Sequence, residues 1–572
     1  MNEMPPYGFE KRKIIAKTAL FAVLASFLVF VLMPTIYIVS FTFTRWTEIY
    51  SEIFANPIIG SENWHQIQTV LLFSFKIAFF TIVFDFIFGI PLAYLLARKK
   101  FLGKGVLEDI ITLPLVIPTS GFGFATLITW TTVSGLGGVL GFKSGLLNLA
   151  DRIPLLNIPF LIFAVHVGLT LPYVVLTIRA KLQELDPVYE TASRTLGAVS
   201  LTTFRRIVFP LALPGIFSGL VLAFARSLGE TGATMVVAGV STTASIAIVR
   251  WVFEFKFGTA SFLGCLLVVI AWALILPVEI FLRRKHRFSI SRSPLRTGRI
   301  EGPFLSVEKF ISRKLYYVKE VASITVIFVI VVVPVVIVLN SIFPYWFHDP
   351  YTGRPEGGVI YQLFGPSNYF GALSKATLTS FAVAAISTYI AACIAIPLVY
   401  VIERYRFGTL IRSILKIPLI VPTSALGLSV LLLWGPRGLG MVNPGIWLIV
   451  LTHIVFSVPV ITEPTIAAYE GSEILLYEES ARILGATPYD ATETISLPLL
   501  KRGILAGVIL SFTHSLGETG ATFIVMGSDL TVPTLVVNMV EALAIPAALF
   551  SAAYLIAISL VLLAVFRYLT RR

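Results

Sequence analysis

The chain carries one stretch of sequence twice, at 189–234 and at 477–522. Each copy opens with Tyr-Glu, passes a glycine and a proline, and closes with the octapeptide Ser-Leu-Gly-Glu-Thr-Gly-Ala-Thr. Residues 190 and 478, 197 and 485, and 230 and 518 are all 288 positions apart. A constant offset without insertions marks an internal duplication. The sequence therefore predicts two homologous halves, 1–282 and 319–572, joined by a linker at 283–318.

Each half contains six apolar stretches of the length that a helix needs to cross a bilayer, about 20 residues. Of all residues, 56% are hydrophobic and only 13% charged, which places the chain in a lipid bilayer and not among soluble proteins. We predict an all-α polytopic membrane protein with about twelve transmembrane helices in two parallel repeats of about six. The stretches lie near 16–43, 67–97, 107–133, 159–180, 211–240 and 259–282, and near 320–343, 374–402, 411–434, 444–468, 501–527 and 547–569.

Basic residues follow every second span, as expected of loops that stay in the cytoplasm. In the first half they cluster at 98–104, 181–206 and 283–287, and the second half repeats the pattern at 404–416, 482–502 and 567–572. Because the net charge of +13 is dispersed in these loops and forms no stripe, it predicts topology and no nucleic-acid partner. Both termini, the basic linker and both copies of the duplicated stretch are therefore expected on the cytoplasmic side of the plasma membrane.

A shorter duplication lies in the third span of each half, where 113–120 matches 417–424 at an offset of 304. The smaller offset further along the chain means that the second half has a shorter connection between its third and fourth spans. The prolines of these segments predict kinks, which either distort the helix locally or gate a pathway.

Local sequence predicts a helix, a turn and a second helix at the start of each long duplication. Asp186-Pro187 is typical of an N-cap followed by a first helical residue, and Gly197 and Gly485 suit the left-handed residue that ends a helix. Thr487-Pro488 with Asp490 predicts a capping box for the second helix. We name 186–210 the first motif loop and 472–498 the second motif loop.

The second motif loop resembles the EAA loop of type I ABC-importer permeases. It reads Glu479-Ser480-Ala481, three residues, Gly485, nine residues, and then Ile495, one residue, Leu497-Pro498. The first motif loop keeps Ala192, Gly197, Ile207 and Pro210 but has Thr191 and Phe209 where the pattern has glutamate and leucine. The resemblance identifies the chain as a fused two-domain permease of an ABC importer.

This resemblance implies a non-catalytic transmembrane subunit that forms the translocation pathway. Two copies of a separate cytoplasmic ATPase would dock on the motif loops, and an extracellular or periplasmic substrate-binding protein would dock on the opposite face. ATP and Mg would be bound by the ATPase, since this chain has no Gly-x-x-x-x-Gly-Lys-Ser/Thr sequence. The residues assigned to coupling are Glu190, Thr191, Ala192, Gly197 and Pro210, with Glu478, Glu479, Ser480, Ala481, Gly485 and Pro498.

The octapeptides place Glu230 and Glu518 within apolar spans, where an ionised carboxylate costs about 2.5–3.5 kcal/mol. Arg226 and His514 precede them by one helical turn and are their predicted partners. One interpretation is a polar pathway between the halves, and the other is a structural network in which glycines permit close helix approach. The pathway interpretation assigns Arg226, Ser227, Glu230, Thr231, Thr234, His514, Ser515, Glu518, Thr519 and Thr522.

The substrate class follows from resemblance only. The stretch 226–234 is similar to the Arg-Ala-Leu-Gly-Glu-Phe-Gly-Ala-Thr segment of molybdate, tungstate and sulfate permeases, with Thr231 in place of the aromatic residue. We expect an inorganic oxyanion; fusion of both halves, more familiar in ferric-iron and thiamine permeases, and a Gly-Glu-Thr shared with phosphate permeases keep those substrates as alternatives. A secondary transporter or channel that needs no ATPase is the rival class. An enzyme is disfavoured because the six histidines are scattered and form no metal or nucleophile pattern.

Overall fold

The structure is a computed structural model that describes residues 6–55, 57–283, 308–309 and 317–571. Within these residues, ten helices are long and apolar enough to cross a membrane, and two bent helix pairs raise the number of crossings to as many as twelve. The all-α polytopic class with six crossings in each half is therefore confirmed. In the first half the crossings are Lys17–Thr44, Ile59–Arg98, Lys104–Val116 with Thr119–Thr131, Phe160–Glu184, Ser200–Gly229 and Phe257–Leu274. In the second half they are Val318–Ser341, Tyr369–Arg404, Gly408–Ile420 with Thr423–Trp434, Ile446–Gly471, Pro488–Gly517 and Ile545–Val565.

Several of these crossings contain local changes of helix type. The first span of each half has a π-helical turn, at Leu28–Leu32 and at Phe328–Val332, and each motif loop has one, at Phe204–Val208 and at Thr492–Ser496. Such turns insert one residue per turn and re-aim the helix that follows. The sixth-span helices extend beyond their most apolar windows, as Phe257–Arg283 and Ile545–Arg571.

The connections between spans hold the remaining short elements. They are the helices Trp46–Tyr50 and Val359–Phe364, the π-helical turns Ser51–Ala55 and Val133–Gly137, and the 3-10 turn Pro355–Gly357. A two-stranded antiparallel hairpin pairs Arg152–Ile153 with Ile158–Pro159 in the connection between third and fourth spans of the first half. The second half turns directly from Trp434 toward Ile446, as its shorter connection predicted.

The proline kinks predicted in the third spans are confirmed as sharp breaks. The two helices of each span meet at 110° in the first half and at 104° in the second. Ile117 and Val421, which precede prolines, are extended, because the proline ring disfavours helical geometry in the residue before it. The helix after each break is buried on all sides, from Ser120 to Trp130 and from Ser424 to Leu433. These two helices form the centre of the bundle.

The two halves exchange their first spans. The first span of each half packs against the second and third spans of the other half. At one of these contacts the Ser429 hydroxyl accepts the Ile38 N–H at 2.9 Å and donates to the Pro34 carbonyl. The halves are therefore interlocked, although the sequence predicts each as a separate repeat.

The fifth spans end earlier than predicted. Helix Phe209–Gly229 stops at Glu230, and the short helices Gly232–Val237 and Ala244–Phe253 follow. The second half repeats this with Leu497–Gly517, Gly520–Val525 and Val532–Glu541. The expectation of continuous spans over 211–240 and 501–527 was thus wrong. Glycines at the third and sixth positions of each octapeptide weaken the helix there, and the break places the glutamate between two helices.

The linker at 283–318 lies almost entirely outside the described residues. Its described residues are Arg283, Glu308, Lys309, Tyr317 and Val318.

Close packing at the centre of the bundle gives a paired prediction on one helix. A Cβ on Gly123 would lie 2.6 Å from the carbonyl oxygen and 2.8 Å from the Cα of Ala233, whereas one on Gly121 would meet nothing closer than 3.7 Å. We expect Gly123→Ala to destabilise the protein by about 1–3 kcal/mol through overpacking. Gly121→Ala should stabilise it by up to about 1 kcal/mol through helix propensity. Thermal unfolding of the purified protein measures both; equal shifts for the two variants would contradict the expectation.

Candidate functional site

The first motif loop consists of helix Val188–Thr195, a glycine turn and the short helix Ser200–Thr203. Gly197 has φ +88°, and a side chain there would be strained although nothing lies within 4 Å of the added atom. The N–H of Gly197 donates to the Arg194 carbonyl at 3.0 Å, and the N–H of Ala198 donates to the Ser193 carbonyl at 3.2 Å. These two bonds form a Schellman motif, so the predicted left-handed helix end is confirmed.

The second motif loop repeats this geometry in Ile474–Ile483 and Pro488–Ala491. Gly485 has φ +97°, and the same two carbonyl-capping bonds recur one repeat further along the chain. The capping box predicted at Thr487 and Asp490 is present. In the first loop the helix begins at Val188, one residue later than predicted, and the Asp186 Oδ1 accepts the Val188 N–H at 2.9 Å.

Glu190 points into the protein and not outward from the first motif loop. Its side chain is 10% exposed, and its two carboxylate oxygens accept bonds from Tyr94 Oη and from Arg98 Nε, both at 2.7 Å. Arg98 also donates to the Leu185 carbonyl at 2.9 Å. Tyr94 and Arg98 belong to the last turns of the second span. Glu190 therefore connects the motif helix to that span, and we name this contact the brace of the motif loop.

Glu478 has the same role in the second motif loop. Its side chain is 5% exposed, Arg404 Nη2 lies within 2.6 Å of both carboxylate oxygens, and the Ser496 hydroxyl donates to Oε1. Arg404 also lies over the ring of Tyr400, with 5.0 Å between the guanidinium carbon and the ring centroid. A carboxylate held by arginine and a hydroxyl is oriented strongly, because charge-assisted hydrogen bonds are the stronger ones.

Sequence reasoning missed the partners of both glutamates, although a pattern marks them. Ile-Pro-Leu-x-Tyr-x-x-x-Arg occurs at 90–98 and again at 396–404, at the end of each second span. The two copies are 306 residues apart. This duplication, which lies outside the motif loops, marks the tyrosine and arginine as a shared feature of the two halves.

The outward surface of the motif loops is partly apolar. Leu196 and Leu484, which directly precede the turn glycines, are 89% and 88% exposed. Tyr189 and Tyr477 on the motif helices are also exposed, as are Thr191 and Ala192, Glu479 and Ser480, Pro210 and Pro498, while Ala481 is half-buried. Exposed leucines at the tips of two protruding loops are typical of a protein-binding surface. The two leucines were not among the predicted coupling residues.

The octapeptides place their glutamates at the breaks that end the fifth spans. Glu230 is 2% exposed; its Oε1 accepts the Ala233 N–H at 2.9 Å, and its Oε2 lies 2.6 Å from Arg226. Glu518 repeats the cap by accepting the Ala521 N–H at 3.1 Å, while His514 Nε2 lies 3.8 Å from its Oε2. Each glutamate therefore caps the short helix after the break. Arg226 and His514 do lie beside the glutamates, as the one-turn spacing predicted.

In each half, a buried histidine forms hydrogen bonds to residues on both sides of the break. His166 Nδ1 lies 2.8 Å from the Ser227 hydroxyl, before the break, and its Nε2 lies 3.1 Å from the Thr234 hydroxyl, after it. His453 makes the equivalent bonds to Ser515 at 2.6 Å and to Thr522 at 3.0 Å. A neutral imidazole donates through one ring nitrogen and accepts through the other, so each ring fixes both sides of its break.

His166 and His453 are equivalent residues of the two halves. The pattern His-x-x-x-Ser/Thr-x-Pro occurs at 166–172 and at 453–459, in the two fourth spans. The offset of 287 would have shown that the histidines are equivalent. Their partners Ser227, Thr234, Ser515 and Thr522 are all buried, which favours the structural network over the pathway for these four residues.

The two octapeptides meet across the junction of the halves with reciprocal contacts. A Cβ on Gly229 would lie 3.0 Å from Pro422 Cα, and one on Gly517 would lie 3.0 Å from Pro118 Cα. Gly232 is similarly tight against Thr519 and Thr119, and Gly520 against Thr231 and Thr423. The breaks of the third and fifth spans thus form one seam between the halves. Thr231 and Thr519 lie within this seam, and Thr119 Oγ1 is 3.4 Å from Thr519 Oγ1.

A cavity of about 30 Å³ lies beside this seam. It is large enough for a water molecule. Arg226, His514 and Glu518 contribute the predicted polar groups, and Tyr173, Thr119 and Thr513 add hydroxyls. Of the predicted pathway residues, these three are the ones that the structure brings to a shared space. Within the described residues, histidine, cysteine, aspartate and glutamate side chains form no group of three or more that could hold a metal ion.

One described linker residue contacts the first motif loop. Glu308 is 4% exposed; the Thr202 hydroxyl donates to its Oε2 at 2.6 Å, and Arg205 is ion-paired with its Oε1. Burial opposes ionisation, but these two bonds and the charges of Arg205 and Arg206 outweigh it and lower the pKa of Glu308. In the second loop the equivalent positions are Asp490 and Glu493, which would repel a carboxylate. The contact is therefore specific to the first loop.

Comparison with known proteins gives consistent matches. The family described as binding-protein-dependent transport system inner membrane component matches residues 89–287. The sulfate transport system permease protein CysT of Salmonella typhimurium is 32% identical over 233 residues, which cover 40% of this chain and 77% of the relative. A probable sulfate transport system permease protein of Chlorella vulgaris is 29% identical over 243 residues, 40% of this chain and 88% of the relative. The molybdenum transport system permease protein ModB of Mycobacterium tuberculosis is 39% identical over 175 residues, 30% of this chain and 62% of the relative.

Proposed function

The chain belongs to the family of inner membrane components of binding-protein-dependent transport systems, the permeases of ABC importers, and from this we propose that it forms the complete translocation pore for an inorganic oxyanion. Sulfate, molybdate and tungstate are the substrates named for its relatives. Each of those relatives matches only part of this chain, in agreement with a chain that carries two permease repeats. One polypeptide thus supplies both sides of the pore.

The observation that carries the proposal is the construction of the motif loops. Each loop presents an exposed leucine at its tip and is braced by a buried glutamate to the second span behind it. A protruding apolar tip fits a cleft in a partner, and a rigid brace transmits movement of that partner to the membrane helices. We infer that one copy of a cytoplasmic ATPase docks on each loop, which makes two copies for the chain, and that both termini are cytoplasmic.

The proposed cycle moves the two halves against each other about their seam. Closure of the ATPase pair draws the motif loops together, and the braces carry this movement into the second spans. The fifth spans, which begin within the motif loops, end at the breaks held by Glu230 and Glu518. Movement of the loops therefore reaches the seam, where separation of the reciprocal glycine and proline contacts would open the pathway. An extracellular or periplasmic binding protein delivers the substrate on the opposite face.

Reconstitution tests the proposed function. The chain, purified with its ATPase and binding protein, is placed in liposomes, and uptake of sulfate and molybdate is measured with and without ATP. We expect accumulation that requires ATP and the binding protein. Uptake of ferric iron, thiamine or phosphate in place of the oxyanions would retain the importer and reject the substrate. Uptake that persists without the ATPase would reject the importer in favour of a secondary transporter or channel.

A further inference from the structure

The two halves contribute chemically different groups to the cavity beside the seam. Arg226 and His514 occupy equivalent positions, 288 residues apart, and both line the cavity. Among the described residues that line it, Arg226 is the only one with a permanent positive charge. The repeat relation therefore places a cation on one side and an imidazole on the other.

The residues that surround Arg226 also differ from those that surround His514. Tyr173 of the fourth span lines the cavity and approaches the Arg226 guanidinium with its hydroxyl. The position equivalent to Tyr173 in the second half is Val460, and the position equivalent to Leu169 is Phe456. The Phe456 ring packs edge-on against His514, with 4.7 Å between the ring centroids. At the position of Tyr173, the second half thus has an apolar side chain in place of a hydroxyl.

We propose that Arg226 and Tyr173 form a one-sided recognition site for a doubly charged tetrahedral oxyanion in the pathway; this inference rests on the proposed function. An anion within the apolar layer requires compensation by a fixed positive charge. A guanidinium supplies five N–H donors in a planar fork, which matches the oxygens of such an anion. Glu230 lies 2.6 Å from one guanidinium nitrogen and Tyr173 contacts the same group, so the donors that these two residues leave unused serve the substrate.

The closed seam agrees with a site that forms as the halves separate. The cavity of about 30 Å³ has room for water molecules and lies between residues of both halves. Arg226 and Tyr173 belong to the first half, whereas Thr513, His514 and Glu518 belong to the second. Separation of the halves enlarges the space between these two sets. Glu518 would repel an anion on its own side, which further favours the side of Arg226.

Uptake of sulfate and molybdate by the complete complex in liposomes tests the site. Arg226→His gives the first half the group that the second half has, and we expect it to lower uptake at least tenfold while the ATPase and binding protein remain associated. Tyr173→Phe should lower uptake several-fold. Val460→Ala is the matched control at the equivalent position and should change uptake by less than twofold.

A double variant distinguishes recognition of the anion by Arg226 from mere compensation of the Glu230 charge. If Arg226 only compensates Glu230, Arg226→His combined with Glu230→Gln should restore uptake, and this result would overturn the proposal. We expect uptake to stay low in the double variant. Equal losses for Tyr173→Phe and Val460→Ala would also overturn it. A wild-type complex that transports neither anion would instead reject the proposed function.

Discussion

Replacing Leu196 and Leu484 together with aspartate is expected to release the ATPase from the purified complex and to abolish ATP-driven uptake. Both side chains are almost fully exposed, so the permease should lose no internal contact and keep its thermal stability. Burial of one leucine in a partner contributes about 1.5–3 kcal/mol, and a carboxylate in the same apolar cleft would add a desolvation cost. Each single variant should therefore weaken docking at its own loop by at least about tenfold.

The measurement is co-purification of the ATPase with the permease, followed by ATP-dependent uptake in liposomes. Leu102→Asp is the matched control, because Leu102 is a fully exposed leucine in the turn between the second and third spans, outside both motif loops. It should leave docking and uptake unchanged. If the ATPase still co-purified with the double variant at wild-type yield, the tips of the loops would not be the docking surface.

The parts of these loops that depend on neighbouring residues alone were predictable. The left-handed Gly197 and Gly485 and the capping box at Thr487 follow from the backbone preferences of single residues and from hydrogen bonds over three positions. The apolar spans were predictable for a similar reason, since length and composition alone decide whether a helix can cross a bilayer. The structure confirms both classes of prediction.

Contacts between distant spans were beyond such reasoning. The sequence marks Glu190 as a coupling residue but gives no direction for its side chain, which is set by Tyr94 and Arg98 almost one hundred positions earlier. Likewise, the hydroxyls of Ser227 and Thr234 face His166 and not the pathway, because the fourth span packs directly against the fifth. Only the duplicated patterns in the second and fourth spans could have indicated these partners.

The helix break at Glu230 shows a different reason why sequence patterns fail to predict the structure. The apolar run resumes after Glu230 and Thr231, so hydropathy averaged over the run predicts one long helix. The structure ends the helix there because Glu230 gains more as a cap for Ala233 than as a side chain exposed to apolar neighbours. The exchange of first spans between the halves was also unpredictable. A first span has the same local sequence whether it packs against its own half or against the other half.

The second large expected effect concerns two neighbouring glutamates in the second motif loop. Glu478→Ala should destabilise the protein by about 1.5–3 kcal/mol, because it removes a buried carboxylate that accepts charge-assisted hydrogen bonds from Arg404 and a bond from Ser496. Glu479→Ala removes the same atoms from the next, exposed residue and should leave the stability of the permease unchanged. Thermal unfolding of the detergent-purified chain measures both variants.

A double-mutant cycle decides whether the loss belongs to the ion pair. Glu478→Ala and Arg404→Ala should couple by about 1–3 kcal/mol, whereas Glu479→Ala and Arg404→Ala should add. The EAA pattern places its glutamate at Glu479, yet the side chain that reaches the second span is that of Glu478. If Glu478 is the brace, its loss should also uncouple ATP hydrolysis from uptake, because the motif helix could then move without the span behind it. Additive effects for Glu478 and Arg404, with coupled transport retained, would show that the loop transmits its movement by another contact.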